Sequence, residues 1–406
     1  MTTFSQRRAV LVFAAFAFAY FFSALIRAVT ATLAPTLVQD FSLNARDLGL
    51  LAGGYFLGFA ATQLPLGTWL DRFGPKKVVL ALLSIAVAGC VAFSMATSFQ
   101  GLLAARVLCG VGVSACLMAP LTGYRRWYAP ASQMRANAWM LMVGSLGMVA
   151  STLPVQWLMP LIGWRLIFIG MAALVALAMV IIAWQVPAWA TAPAPNDEDA
   201  PRAGYAEVWR NPYFRSLMPL GFFSYGGLVA MQTLWASPWM MKVAGYSPLE
   251  AATGLFWINV AMLAAFWLWG AILPMLVARG LTVERLITWG MPLNLLAIAT
   301  ISIAGHAVST GAAALWGLFC VSSTVVSLAQ PAVGMAFRPE LAGRALSAYN
   351  LVIFSGVFAV QWGVGLMIDG LQALGWAQTA AYQGAIGVFG LCCAAAYGYF
   401  LVTKKP

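Results

Sequence analysis

The chain has 406 residues, 62% of them hydrophobic and 8% charged, with a formal net charge of +11. Soluble domains carry about 25% charged residues, so this chain cannot clothe a water-exposed surface and the lipid bilayer is its expected solvent. The basic residues punctuate long apolar runs instead of clustering, which argues against nucleic acid as a partner.

The first apolar run covers residues 10–37. It exceeds the roughly 7–15-residue core of a signal peptide and has no small-x-small cleavage site, so it is predicted as a membrane-spanning helix. A span needs roughly 20 apolar residues. That rule places further spans near 48–70, 77–97, 101–123, 136–160, 164–188, 214–241, 249–278, 284–305, 310–336, 345–369 and 377–402. The expected fold is therefore an all-α integral membrane protein with 12 transmembrane helices. Between the sixth and seventh spans lies a Pro-, Ala- and acid-rich stretch, ATAPAPNDEDAPRAGYAEV. It predicts a flexible linker over 190–212, dividing a six-helix bundle at 1–189 from a second at 213–406.

Placing both termini in the cytoplasm puts 17 of the 22 Lys and Arg in inner segments and 3 in outer ones. The positive-inside rule then fixes the orientation. Only Arg27 and Arg106 fall within spans. The six cysteines lie inside apolar runs without Cys-x-x-Cys spacing and read as small buried hydrophobes. The sole histidine, His306, falls in an outer loop and reads as solvated.

The two halves echo each other. Phe21-Phe22-Ser23 returns as Phe222-Phe223-Ser224, and Val155-Gln156-Trp157 as Val360-Gln361-Trp362, each followed by Gly-Trp at Gly163 and Gly375. Two similar bundles with a path between them is a transporter plan, with the solute site near the midplane.

The connection after the second span reads GTWLDRFGPKK, from Gly67 to Lys77, and closely resembles the signature loop of the major facilitator superfamily. Arg106 to Gly112, RVLCGVG, resembles that superfamily's fourth-helix motif, and Gly163-Trp164-Arg165 its sixth-helix entry. The second-half copy of the loop, Gly270 to Gly280, is degenerate and lacks the aspartate. The resemblance implies two pseudo-symmetric six-helix bundles, alternating access and a location in a bacterial inner membrane. It also implies conformational roles for Gly67, Asp71, Arg72, Gly74, Arg106, Arg125 and Arg126; for Arg106 a place on the cavity wall stays equally open. Asp71, at the inner face, is expected to latch that side by meeting a helix N-terminus or the Arg125–Arg126 pair.

Arg27 carries the functional reading. An arginine at the centre of a span costs roughly 2.5–3.5 kcal/mol, so it should face a polar cavity. In the superfamily that this chain resembles, helix 1 lines such a cavity, and several families use an arginine there to hold an anion. Two other roles remain open: capping carbonyls, or pairing with Asp40. None of the eleven acids lies mid-span. This weakens a proton symporter and weakens a cationic solute more. A guanidinium also matches a carboxylate bidentately. The expected substrate site is Arg27 with Tyr55, Gln232, Trp235, Asn259, Asn350 and Gln361.

The reading is thus a secondary carrier for a small organic anion, without cofactor or metal and not an enzyme. It is expected as a monomer in the bilayer, with a coupling ion left open. The stretch AMQTLWASPWMM also bears a distant similarity to a copper-importer branch of the superfamily, but its metal motifs are not matched. Trp235 follows Met231 by four residues, and Asn259 stands where a histidine is needed; Met240, Met241 and Met262 would need another geometry. That branch includes vitamin carriers, so a flavin-like solute stands as an alternative. So does drug efflux, although Gly144 to Gly147 lacks the Gly-Pro pair of antiporters. A membrane sensor that transports nothing is a fourth reading, from a different class.

Overall fold

In a computed structural model that describes residues 4–188 and 205–404, all regular structure is helical. Twelve long helices run in chain order: α1 Gln6–Phe41, α2 45–73, α3 75–95, α4 Phe99–Trp127, α5 130–162, α6 164–185, α7 212–242, α8 Pro248–Ala278, α9 Val283–Ala304, α10 Ser309–Met335, α11 Pro339–Ala373 and α12 Gln378–Thr403. Among the described residues, nine stretches are long and apolar enough to cross a membrane by length and composition alone. The other three spans are each interrupted. α2 breaks at Thr62 and α5 at Ser151–Thr152, and α7 carries two π-helical segments, Leu220–Tyr225 and Met231–Trp235. Helices suit this composition because they satisfy every backbone group within the segment, as hydrocarbon requires.

Two junctions inside the first half have no loop. Gly74 joins α2 to α3 at φ 77°, ψ 163°, and Gly163 joins α5 to α6 at φ 71°, ψ 162°. That region is essentially restricted to glycine and costs another residue about 1–3 kcal/mol. Beside the first junction, the Lys76 ammonium donates to the Ala183 carbonyl near the end of α6 at 2.6 Å, where a cation also suits the helix dipole. Gly74→Ala is expected to lower stability by about 1–3 kcal/mol, read as a lower thermal midpoint of the purified protein.

The repeat seen in the sequence has a packing counterpart. A Cβ on Gly147 of α5 would sit 2.3 Å from the Phe21 carbonyl oxygen, and one on Gly356 of α11 would sit 2.2 Å from that of Phe222. Each Phe-Phe-Ser segment is thus approached closely by a glycine of the equivalent helix. Across the halves, α2 packs along α11 and α5 against α8.

The linker expected over 190–212 lies mostly outside the described residues, as does the side chain of His306. From Tyr205 the structure differs from a flexible link. Tyr205–Arg210 is helical, Val208 is buried, and Glu207 pairs with Arg338 at 3.2 Å. The Tyr205 hydroxyl donates to the Leu64 carbonyl on α2 at 3.3 Å. The acidic, proline-rich composition stops short of these apolar and aromatic residues, and their burial is what orders them.

Candidate functional site

A cavity of about 2150 Å3 lies between the two halves. Tyr20 and Arg27 of α1 line it, with Gln63 of α2, Tyr225 and Gln232 of α7, Asn259 and Trp269 of α8, Gln330 of α10 and Asn350 of α11. It reaches down to Asp71, Arg72 and Arg125, which are exposed, so it opens at that end.

The opposite end is shut by contacts between the halves. Asp369 of α11 accepts hydrogen bonds from the N–H groups of Ala45 (3.1 Å) and Arg46 (2.8 Å), the first residues of α2. A carboxylate there satisfies orphan donors and meets the positive end of the helix dipole. Beside that seam, within the second half, the Trp235 indole donates to the Gln361 carbonyl at 3.1 Å, and the Gln361 amide donates to Thr233 Oγ1 at 3.0 Å. Trp235 and Gln361 were expected in the substrate site. They do not line the cavity; they stitch α7 to α11 beyond its closed end.

Arg27 lines the cavity, and its Nε is buried without a hydrogen-bond partner. Its electrostatic neighbours are the hydroxyl groups of Tyr20 and Tyr55. The Asp40 pairing considered above is not formed: the Asp40 carboxylate accepts from the Trp164 indole at 2.8 Å. The reason is distance along the helix, since thirteen residues at 1.5 Å each separate the two by about 20 Å. Tyr55, a second expected substrate contact, is fully buried behind Arg27 and off the cavity, with its hydroxyl 3.4 Å from the Ser23 carbonyl.

Arg106 is completely buried and also off the cavity. It donates from Nη1 to the Ile26 carbonyl at 2.9 Å, and its guanidinium sits 5.1 Å from the Tyr55 ring centroid. It therefore ties α4 to α1 and α2, partly through a cation–π contact. Its Nε and Nη2 are left without partners.

Gln232 and Asn259, both expected, do line the cavity and bond to each other. Gln232 Nε2 donates to Asn259 Oδ1 at 2.7 Å, and Asn259 Nδ2 donates to the Leu255 carbonyl at 2.8 Å. The pair bridges α7 and α8 and holds both amides in fixed orientations. Asn259→Leu is expected to cost about 1–3 kcal/mol by leaving the Gln232 amide unsatisfied. The Gln232→Leu/Asn259→Leu double variant is expected to regain part of that loss in a double-mutant cycle read by thermal unfolding. Asn350 lines the cavity too and accepts from Gln330 Nε2. Gln330 comes just after the 3-10 segment Thr324–Leu328 of α10; neither it nor Tyr20 was picked out as a substrate contact.

Of the residues expected to move, Gly67, Asp71, Arg72, Arg125 and Arg126 all border the open half of the cavity, and Gly74 does not. Asp71 stands nearest Arg125 and Arg344 electrostatically and forms no ion pair among the described residues. Of the methionines weighed as soft ligands, only Met262 lines the cavity; Met231, Met240 and Met241 do not. Among the described residues, the lining holds five arginines (Arg27, Arg72, Arg125, Arg126 and Arg344) against one carboxylate, Asp71 at the rim. The field of such a chamber concentrates anions.

Comparison with known proteins places this arrangement. The family model of the Major Facilitator Superfamily matches residues 16–361. The 3-(3-hydroxy-phenyl)propionate transporter of Escherichia coli is 26% identical over 339 residues, covering 79% of this chain and 78% of the relative. The 4-hydroxybenzoate transporter PcaK of Acinetobacter baylyi is 29% identical over 153 residues, 37% of this chain and 33% of the relative, so that match spans only about a third of its length. Among solved structures, a bacterial homolog to the human lysosomal transporter Spinster superposes with a TM-score of 0.76 at 19% identity, over 98% of each chain.

Proposed function

The chain belongs to the Major Facilitator Superfamily, and from that premise we propose that it is a secondary active carrier of a small organic anion, an aromatic carboxylate first of all. The observation that carries this reading is Arg27: a guanidinium on the cavity wall with a buried, unpartnered Nε and, among the described residues, no carboxylate beside it. A bound carboxylate would meet the cavity-facing side of the guanidinium and neutralise its charge. The aromatic preference draws on the two relatives, whose names give hydroxylated aromatic acids. It also draws on Tyr20, Tyr225 and Trp269 in the lining.

In this reading the carboxylate meets Arg27 and the Tyr20 hydroxyl, while the fixed Gln232–Asn259 pair faces the far side of the solute. By the charge bias of the connecting segments, the open end faces the cytoplasm. Alternating access then requires the Asp71 end to close while the Asp369 seam parts.

The test is counterflow. Proteoliposomes preloaded with unlabelled 3-(3-hydroxyphenyl)propionate are given a trace of the radiolabelled compound outside. Accumulation above protein-free liposomes supports the reading. Absence of accumulation across a panel of aromatic and aliphatic carboxylates contradicts it.

A further inference from the structure

We infer that the Gln330–Asn350 pair is a specificity-determining subsite of the cavity, which reads a ring hydroxyl at the end of the solute opposite its carboxylate. The inference rests on the organic-anion reading above and narrows it to hydroxylated aromatic acids.

The pair has hydrogen-bonding capacity to spare. Gln330 Nε2 donates to Asn350 Oδ1, and among the described residues no protein group engages Gln330 Oε1 or Asn350 Nδ2. Two side-chain amides joined by one bond leave a carbonyl oxygen and an NH2 group over, whichever way each amide is turned. A hydroxyl donates and accepts at once, so it can meet both. The Gln232–Asn259 pair is spent differently, because Asn259 Nδ2 already donates to the Leu255 carbonyl. Nor is the second pair needed to hold its helices together. Leu328, Ala329 and Val333 of α10 share an apolar core with Ala345, Ala348 and Tyr349 of α11.

Its place on the wall suits a solute anchored at Arg27. Tyr55 of α2 is an electrostatic neighbour of Arg27 and marks its level. Phe59 follows Tyr55 by four residues, one turn or about 6 Å nearer the open end. Its ring meets that of Phe354 on α11, with centroids 4.4 Å apart. α11 runs the opposite way, so Asn350, four residues before Phe354, lies a further turn of about 6 Å toward the open end. Arg27, the two phenylalanine rings and the amide pair thus succeed one another down the cavity, and all of them line it. Two turns separate the first from the last by about 12 Å. A hydrogen bond of about 3 Å at each end leaves room for a carboxylate and a hydroxyl with one benzene ring between them. Phe59 and Phe354 flank that ring, where aromatic contacts favour it. A solute without the hydroxyl would strip water from the amide pair and return no hydrogen bond.

The experiment compares 3-(3-hydroxyphenyl)propionate with 3-phenylpropionate, which lacks only the hydroxyl, by isothermal titration of the purified full-length carrier. The wild-type protein is expected to bind the hydroxylated acid roughly 10-fold more tightly, the return on one to two hydrogen bonds. In Gln330→Leu/Asn350→Leu that advantage is expected to fall to about one. The hydroxylated acid should weaken while the unsubstituted one holds or gains, since its bare ring then meets leucine. The double change leaves no amide stranded, and Gln330→Met, of similar length, serves as a second variant in which the advantage is expected to shrink. An advantage retained in both variants overturns the inference. So does its absence from the wild-type protein, or a fall by the same factor for both acids. These outcomes leave the organic-anion reading standing, because an acid still binds; failure of both acids to bind the wild-type protein strikes that reading and this subsite together.

Discussion

Arg27→Ala is expected to reduce counterflow of the aromatic carboxylate by roughly 10–100-fold while leaving the protein folded. A hydrogen bond to a charged group contributes about 1.5–3 kcal/mol, and each 1.36 kcal/mol is a factor of ten. The variant also removes a cation whose Nε is buried without a partner, so the thermal midpoint is expected to hold or rise. This separates binding from architecture: an arginine that held helices together would lower the midpoint when lost. Arg27→Lys keeps the charge but not the planar fork, and its counterflow is expected between wild type and alanine. Uptake rates and thermal unfolding of the three proteins check the prediction together.

Gly365→Val is the second large effect, and it acts at the other end. A Cβ on Gly365 of α11 would sit 2.3 Å from the Ala45 carbonyl oxygen of α2, and one on Gly49 of α2 would sit 2.3 Å from the Gln361 carbonyl oxygen. Both obstacles are backbone, which does not swing aside as a side chain does. The seam beside Asp369 must therefore part. Overpacking costs about 1–3 kcal/mol, enough to move the balance of states by roughly 10–100-fold. The readout is a cysteine at Gln361, which is fully buried in the closed seam. Its alkylation by a hydrophilic maleimide is expected to be slow in the wild-type background and much faster with Gly365→Val. Unchanged labelling would mean that α2 and α11 absorb the bulk locally.

The helices were legible in the sequence because hydropathy and length act on each segment alone, and Arg27 stood out because a lone cation within an apolar run has few tolerable surroundings. The positions of Tyr55, Trp235 and Gln361 were not legible for a different reason. All three are buried, and helical periodicity separates a polar face from an apolar one but not a cavity wall from a sealed seam. In α7 the two π-helical segments add residues to the turn and rotate the helix beyond them. A stripe drawn at 3.6 residues through Tyr225, Gln232 and Trp235 therefore leaves the cavity before its last member. Gln330 follows a 3-10 segment that shifts the register of α10, and no residue type announces such a shift. Asp369 looked like a charge at a span end. Its value comes from the first turn of α2, 323 residues away in sequence, which only the packing of the halves reveals.

The central claim is that the cavity selects negative charge through Arg27, and isothermal titration of the purified carrier tests it most directly. The ligands are 3-(3-hydroxyphenyl)propionate and its uncharged amide, which share a ring and nearly share a shape. The acid is expected to bind, the amide not to bind, and binding of the acid to vanish in Arg27→Ala. An amide that binds as tightly as the acid, or an acid that binds Arg27→Ala unchanged, would contradict the account.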